Sequence, residues 1–473
     1  MARVVVVGGG ISGLVAALEL AEGGAEVIVV EASPDIGGKL RLGRVGGRKV
    51  DLGADAFVAR SPVVNALCDR LGLASRIVEP ACRRARLVSK GRLVDLPEGL
   101  VFGVPTDPAA LESNPLLSAA AVRRVAEAAE STWPPTTRDV SVGEFWRPIL
   151  GDEVVATLLA PFVGGVLAGD VDRLSFQCTM PYIWEAATRG LHLRNLQPGR
   201  APADGPAHDR PADSTEDRSG SPFKSISPGM GALVDALAER LVGAGVRVVV
   251  GSPVRAVRSL DRFDRRWRID TPLGHIDADG LVLATPAPAS AALLERIHPE
   301  VAGQIGELEY VSVAVVVSLH DERQVRTDLG YSGFLVDPRE GRLVTACSFG
   351  SSKWPHWADR GRVVLRTSVG RVDDDRHTAM ADDELASAVL GELAELAVTE
   401  GRPLEWHVVR WPRALPQYPP GHAERAREWS EELRTGPPLR LCGAALGGVG
   451  VPACIQTGLS AARSLMEELR SSR

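Results

Sequence analysis

Three glycines and one acid carry the first chemistry this chain can do. In VVVVGGGISGLVAALELAEGGAEVIVVE, Gly8, Gly10 and Gly13 hold the GxGxxG spacing directly after the β-branched run Val4 to Val7. Gly8 permits a tight strand-to-helix turn, Gly10 lets a phosphate approach the backbone, and Gly13 lets the helix pack closely on the strand. The helix start then turns free N–H groups and a positive dipole end toward that phosphate. Glu31 ends the second strand near the roughly 20-residue distance at which an acid hydrogen-bonds a ribose. The pattern predicts a site for the adenosine diphosphate part of a nucleotide cofactor.

A second glycine-rich turn closes the chain. LRLCGAALGGVGVPACIQTG reads as a strand, a turn at Gly447, Gly448 and Gly450, and an amphipathic helix from about Ile455. Such a helix start stabilises negative charge; a plain helix cap is the alternative. Between the two turns, Gly37, Gly38 and Lys39 follow the acid, and VDLGADAF spans Val50 to Phe57. This glycine pair and GAD turn resemble flavoproteins of the amine oxidase superfamily. On that resemblance the closing turn would face a reduced isoalloxazine ring.

The elements that must position these turns are interleaved along the chain. The expected fold class is α/β: a Rossmann-like nucleotide domain from 1–60, 223–292 and 405–473, a substrate domain with an antiparallel sheet from 61–106 and 293–404, and a helical lobe over 107–196. VSVAVVVSLH, GFLVD, LVTACSFG and VVLRTSVG supply the sheet, with a helix over Asp382 to Val398 packed upon it. Gln197 to Pro222 has almost nothing to bury and predicts a disordered loop. Asp261 to Ile269 alternates as a solvated strand.

Composition bounds the function. At 473 residues the chain exceeds one compact core, and 45% hydrophobic content fits a globular enzyme. A net charge of −6 argues against a nucleic-acid partner. No stretch of about 18 uninterrupted apolar residues is present, so no membrane span is expected and a cytoplasmic location follows. Cys68, Cys82, Cys178, Cys347, Cys442 and Cys454 form no CxxC and have no histidine at ligand spacing, so no metal site is expected.

Segments along the whole chain are similar to the oxygen-dependent protoporphyrinogen and coproporphyrinogen III oxidase family. They are GGGISGL, VDLGADAFVAR, GVPTD, APFVGGVLAGD, FKSISPGM, SSKWPH, PQYPPGH and GGVGVPACIQTG. The last, with SSKWPH and LAGD, is more specific than the superfamily-wide first. The resemblance implies non-covalent FAD held by Gly8, Gly9, Gly10, Ile11, Ser12 and Gly13, by Glu31, Ala32 and Lys39, and by Gly53, Ala54, Asp55 and Ala56. It adds Val254 at the adenine, Trp411 over the cofactor, with core packing as its alternative, and Val449, Gly450 and Val451 at the ring. Cys454 is the one residue near that turn able to link a flavin covalently, and a buried thiol is its other reading.

The implied activity is oxidation of coproporphyrinogen III to coproporphyrin III in haem biosynthesis, with O2 reoxidising the flavin and hydrogen peroxide released. Hydride removal needs placement more than acid–base chemistry. No catalytic residue is assigned; His407 and Tyr418 are conceivable proton acceptors, and water can serve. Substrate propionates call for cations, with Arg60 first and Lys353 and Arg366 behind it. Gly165 and Gly169 either admit a flat macrocycle or end a helix. Peripheral membrane contact and handover to a ferrochelatase are further implications. Protoporphyrinogen IX oxidase, another enzyme of the superfamily, and a flavin-binding regulator without turnover stay open as alternatives.

Overall fold

The β-branched run Arg3–Val7 sits at the centre of a five-stranded parallel sheet in a computed structural model of the chain. Residues 1–59, 61–196, 221–260 and 266–471 are described. The strand order is Arg247–Val249, Glu26–Val30, Arg3–Val7, Gly280–Leu283, Leu439–Leu441. Side chains alternate between faces. Val4 and Val6 therefore join Leu14, Leu18, Leu233, Leu237, Ile455 and Leu465 on helices Ile11–Glu22, Gly231–Gly243 and Val451–Ser471. Val5 and Val7 face the other way, onto Trp267 and Ile269 of the antiparallel sheet Ala256–Ser259, Trp267–Thr271, Gly274–Ala278. Each such side chain contributes about 2 kcal/mol by leaving water, and burial on both faces explains the unbroken valine run.

The solvated strand expected over 261–269 is thus corrected at its end. Trp267 and Ile269 are buried, with the Trp267 Nε1–H donating to the Pro438 carbonyl at 2.9 Å, while residues 261–265 lie outside the described ones.

The second sheet has seven strands, ordered Glu405–Pro416, Tyr310–Asp321, Arg362–Val369, Val344–Phe349, Gly333–Val336, Arg86–Ser89, Arg92–Asp95. All neighbours run antiparallel except the pair Gly333–Val336 and Arg86–Ser89. Helix Asp382–Glu395 covers it with Leu385, Val389 and Leu393, and its first-turn acids Asp382, Asp383 and Glu384 suit a helix start.

Two expected boundaries shift. Residues 405–416, grouped by sequence with the nucleotide domain, pair instead with Tyr310–Asp321, because Trp406 and Val408 on alternate positions pack into this sheet's core. Residues 293–308 move the other way: Leu293, Leu294, Val301, Ile305 and Leu308 bury against Val5, Val7 and Leu281 of the parallel sheet.

Helices Ala119–Glu130, Val142–Leu150, Ala160–Leu167, Phe176–Thr179 and Pro181–Ala187 form a third cluster around Trp146, Phe176 and Leu158. Ser118, Ser141 and Ser175 cap three of them through side-chain oxygens. Of the loop expected over 197–222, residues 197–220 lie outside the described ones. No described helix is long and apolar enough to cross a membrane.

Candidate functional site

At the end of Arg3–Val7 the chain turns on Gly8, whose φ of +106° is a backbone state that side chains resist. A Cβ on Gly13 would lie 2.0 Å from the Gly8 carbonyl oxygen, so glycine alone brings helix Ile11–Glu22 this close to the strand. Gly10 differs. A Cβ there would meet nothing within 4 Å, which leaves a cradle open to a phosphate. The helix start at Ile11 and Ser12 has no side-chain cap and no acid in its first turn. Its positive end is available to an external anion.

Glu31 is pinned beside this cradle. Oε2 accepts from the Gly9 N–H at 2.6 Å and Oε1 from the Ser33 N–H at 2.8 Å, which leaves lone pairs for ribose hydroxyls. Ala32 is exposed next to it. The Gly251 and Ser252 N–H groups donate to the Ser33 and Glu31 carbonyls at 2.8 and 2.9 Å, which ties the segment leading to Val254 to the acid. The Gly37 N–H donates to the Gly9 carbonyl at 2.7 Å.

Lys39 is exposed by surface area, yet burial by the surrounding protein lowers its pKa. Cys454, whose thiol is pushed up by burial, interacts with Ser12 and with Lys39. A Cβ on Gly458 would lie 2.4 Å from the Ser12 carbonyl oxygen. The first and last glycine turns of the sequence are therefore neighbours. The closing helix begins at Val451, earlier than the expected Ile455, because Pro452 is tolerated in a first turn. Gly450 is exposed and Val449 half-buried at its mouth.

The GAD turn sits one backbone layer away. The Ala54 N–H donates to the Lys39 carbonyl at 3.1 Å, and a Cβ on Gly53 would be 1.9 Å from that same oxygen. Trp411, half-buried, donates its Nε1–H to the Leu52 carbonyl at 3.2 Å. Ala56 packs on the core formed by Val45, Val317 and Trp354.

Asp55, grouped with the cofactor contacts by resemblance, directs its carboxylate into the protein. It accepts from Lys353 Nζ at 3.1 Å and Trp354 Nε1 at 2.9 Å, and it pairs with Arg366 at 3.3 Å. Burial pushes this carboxyl up, but Lys353 and Arg366 outweigh it and hold the group well below the usual carboxylate range. Lys353 and Arg366, the cations expected to meet substrate propionates, are thus both paired with Asp55. Arg366 also donates to the Gly53 carbonyl.

Gly165 and Gly169 are both closely packed against neighbouring side chains. A Cβ on Gly165 would be 2.7 Å from Leu335 Cδ2, and one on Gly169 would be 2.4 Å from Leu174 Cδ1 and 2.7 Å from Gln417 Oε1. Arg60 lies outside the described residues. Of the conceivable proton acceptors, His407 is exposed and held by Glu405 Oε1 at 2.7 Å. Tyr418 is buried, donates to the Ala444 carbonyl and has its pKa pushed well up by burial, so it keeps its proton. No group of metal ligands is found among the described residues.

Sequence reasoning missed Asp51 and His356. Burial pushes the Asp51 carboxyl up to about 7, and burial lowers His356 to about 4. Both stand in segments already singled out, Asp51 in VDLGADAF and His356 in SSKWPH, but neither segment shows from its spacing that the side chain is buried.

The family described as flavin containing amine oxidoreductase matches residues 11–466. A coproporphyrinogen III oxidase of Bacillus subtilis is 31% identical over 99% of both chains. One from Mycobacterium tuberculosis is 33% identical over 98% of this chain and 97% of that one. Among solved structures, a provisionally assigned protoporphyrinogen oxidase of Exiguobacterium superposes with a TM-score of 0.84 at 29% identity, over 99% of both chains.

Proposed function

Because the chain belongs to the flavin-containing amine oxidoreductase family, we propose that it is an FAD- and oxygen-dependent oxidase that converts coproporphyrinogen III to coproporphyrin III and releases hydrogen peroxide. The observation that carries the substrate is the end-to-end likeness to the Bacillus and Mycobacterium enzymes. The parallel-sheet unit is then the FAD-binding domain, and the seven-stranded sheet with the helical lobe encloses the porphyrinogen.

Each residue has a role its geometry suits. The open cradle at Gly10 and the uncapped helix start take the pyrophosphate, Glu31 takes the ribose, and Lys39 stands near Cys454 on the side of the closing helix. Bound flavin supplies the hydride acceptor for a meso carbon of the substrate. Around it the protein orients the macrocycle and excludes water, the work that a placement-limited reaction demands. The proton lost from a pyrrole N–H passes to water, since Tyr418 keeps its own proton and His407 lies exposed beside Glu405. Arg60 is the proposed propionate anchor, where a guanidinium fork would meet a carboxylate.

The Exiguobacterium structure favours one second reading, a preference for protoporphyrinogen IX. Purified protein given coproporphyrinogen III or protoporphyrinogen IX separately under air, with porphyrin fluorescence and peroxide followed together, decides between them. Faster turnover of coproporphyrinogen III is expected, with FAD released on denaturation. Preference for the second substrate overturns the substrate assignment, and a colourless protein that refuses FAD overturns the whole reading.

A further inference from the structure

One buried cluster outside the cofactor cradle is built from residues of both large units. Asp55 stands on the GAD turn; Lys353 and Trp354 come from the SSKWPH loop, and Arg366 from the strand Arg362–Val369 of the seven-stranded sheet. Three donors converge on one carboxylate, with Lys353 Nζ at 3.1 Å, Trp354 Nε1 at 2.9 Å and Arg366 at 3.3 Å. Arg366 is 8% exposed and also donates to the Gly53 carbonyl. From the same sheet Trp411 donates to the Leu52 carbonyl. The turn is thus gripped on its backbone by the sheet and on its side chain by the sheet and by the segment that joins two of its strands.

On its other side the same turn meets the cofactor cradle through backbone contacts, with Ala54 packed against the apolar core beneath the cradle helix. Ala54 donates to Lys39, Gly37 donates to Gly9, and a Cβ on Gly38 would lie 3.3 Å from Gly10 Cα. Backbone contacts of this kind do not deform side chain by side chain, so a shift of the turn shifts the cradle. Charge-assisted bonds shielded from water are also stiffer than exposed ones. Surface pairs such as Arg427 with Glu424 have no such leverage.

We propose that Asp55, clamped by Lys353 and Arg366, is a positioning element that sets the distance between the flavin cradle and the substrate-side sheet, rather than a site that binds substrate propionates. The inference rests on the flavin reading above. Lys353 and Arg366 act through Asp55 and the turn; neither needs to touch substrate.

The test is Lys353→Met, which leaves Asp55 paired with Arg366 and bonded to Trp354. Flavin affinity, kcat and KM for coproporphyrinogen III are measured on the flavin-loaded protein. The expected result is roughly tenfold weaker flavin binding and a fall in kcat of similar size, with KM unchanged and partial rescue by Lys353→Arg. A propionate anchor would behave oppositely: KM would rise while flavin affinity and kcat stayed at the wild-type level, and that result overturns the proposal. Asp55→Asn supplies a second arm should Lys353→Met fold poorly. Alone, Asp55→Asn should show the same joint fall in flavin affinity and kcat with KM unchanged, because the clamp acts through this carboxylate; wild-type flavin affinity and kcat in Asp55→Asn overturn it. Wild-type protein that takes up no flavin overturns the functional reading itself, whereas wild type that binds flavin beside an unaffected Lys353→Met variant overturns the clamp alone.

Discussion

Asp51 makes the stability of this protein depend on pH in a direction opposite to that of an ordinary paired carboxylate. It ends the strand Arg48–Asp51 with 0% exposure; Oδ1 accepts from the Gly231 N–H at 3.4 Å and Oδ2 has no partner among the described residues. Burial pushes its pKa from 3.8 up to about 7, against weaker pulls from the Met230 N–H and Arg366. The folded state therefore keeps a proton that the unfolded chain gives up. Stability falls as pH rises above 3.8 and levels off above 7. A separation of about three pH units corresponds to about 4 kcal/mol in full, of which roughly 2–3 kcal/mol develops between pH 5 and pH 8. Asp51→Asn keeps the acceptor toward Gly231 and removes the ionisation. Urea denaturation of both proteins across that range should show the variant gaining on the wild type by that amount. A gap between the two midpoints that stays constant from pH 5 to pH 8 would refute the reasoning.

Gly10→Val places a side chain in open space at φ −73° and ψ 174°, a state valine adopts freely, so the fold should persist while flavin is lost; a variant that purifies with its full flavin complement contradicts the cradle. Gly458→Ala drives a Cβ to 2.4 Å from the Ser12 carbonyl oxygen, a backbone atom, and should lower stability by about 1–3 kcal/mol in thermal or urea unfolding, with an unchanged Tm as the adverse result. Cys454→Ser should leave flavin as extractable by acid precipitation as it is in the wild type, the outcome expected of a non-covalent cofactor; colour that stays with denatured wild-type protein alone would mean a thioether. His407→Ala, at an exposed site already bonded to Glu405, should keep kcat within about twofold, and a drop beyond about tenfold would restore it as a proton acceptor.

What could be read from sequence was local. The glycines at 8, 10 and 13 act within a few residues of themselves, so their spacing foretells a positive φ at Gly8, open space at Gly10 and backbone contact at Gly13. The valine run and the helix over Asp382–Glu395 were legible for the same reason, as one-dimensional periods of burial. Lys353 and Arg366 were legible only as cations that could meet a carboxylate. Their partner stands 298 positions away from Lys353, and no spacing rule reports a bond of that reach. The strand Glu405–Pro416 misled because its place depends on register with Tyr310–Asp321, not on its own composition.

That strand also accounts for the interleaved chain. Trp411 donates to the Leu52 carbonyl while its neighbours Trp406 and Val408 pack against the core of the seven-stranded sheet, and the edge position of the strand serves both contacts. The chain then returns to the first sheet at Leu439–Leu441 to place the closing glycine turn beside Ser12. A chain that completed one unit before starting the other would have to bring the GAD turn and the closing turn to the same cleft through loops alone. Crossing between the sheets lets strands rather than loops hold both turns in place.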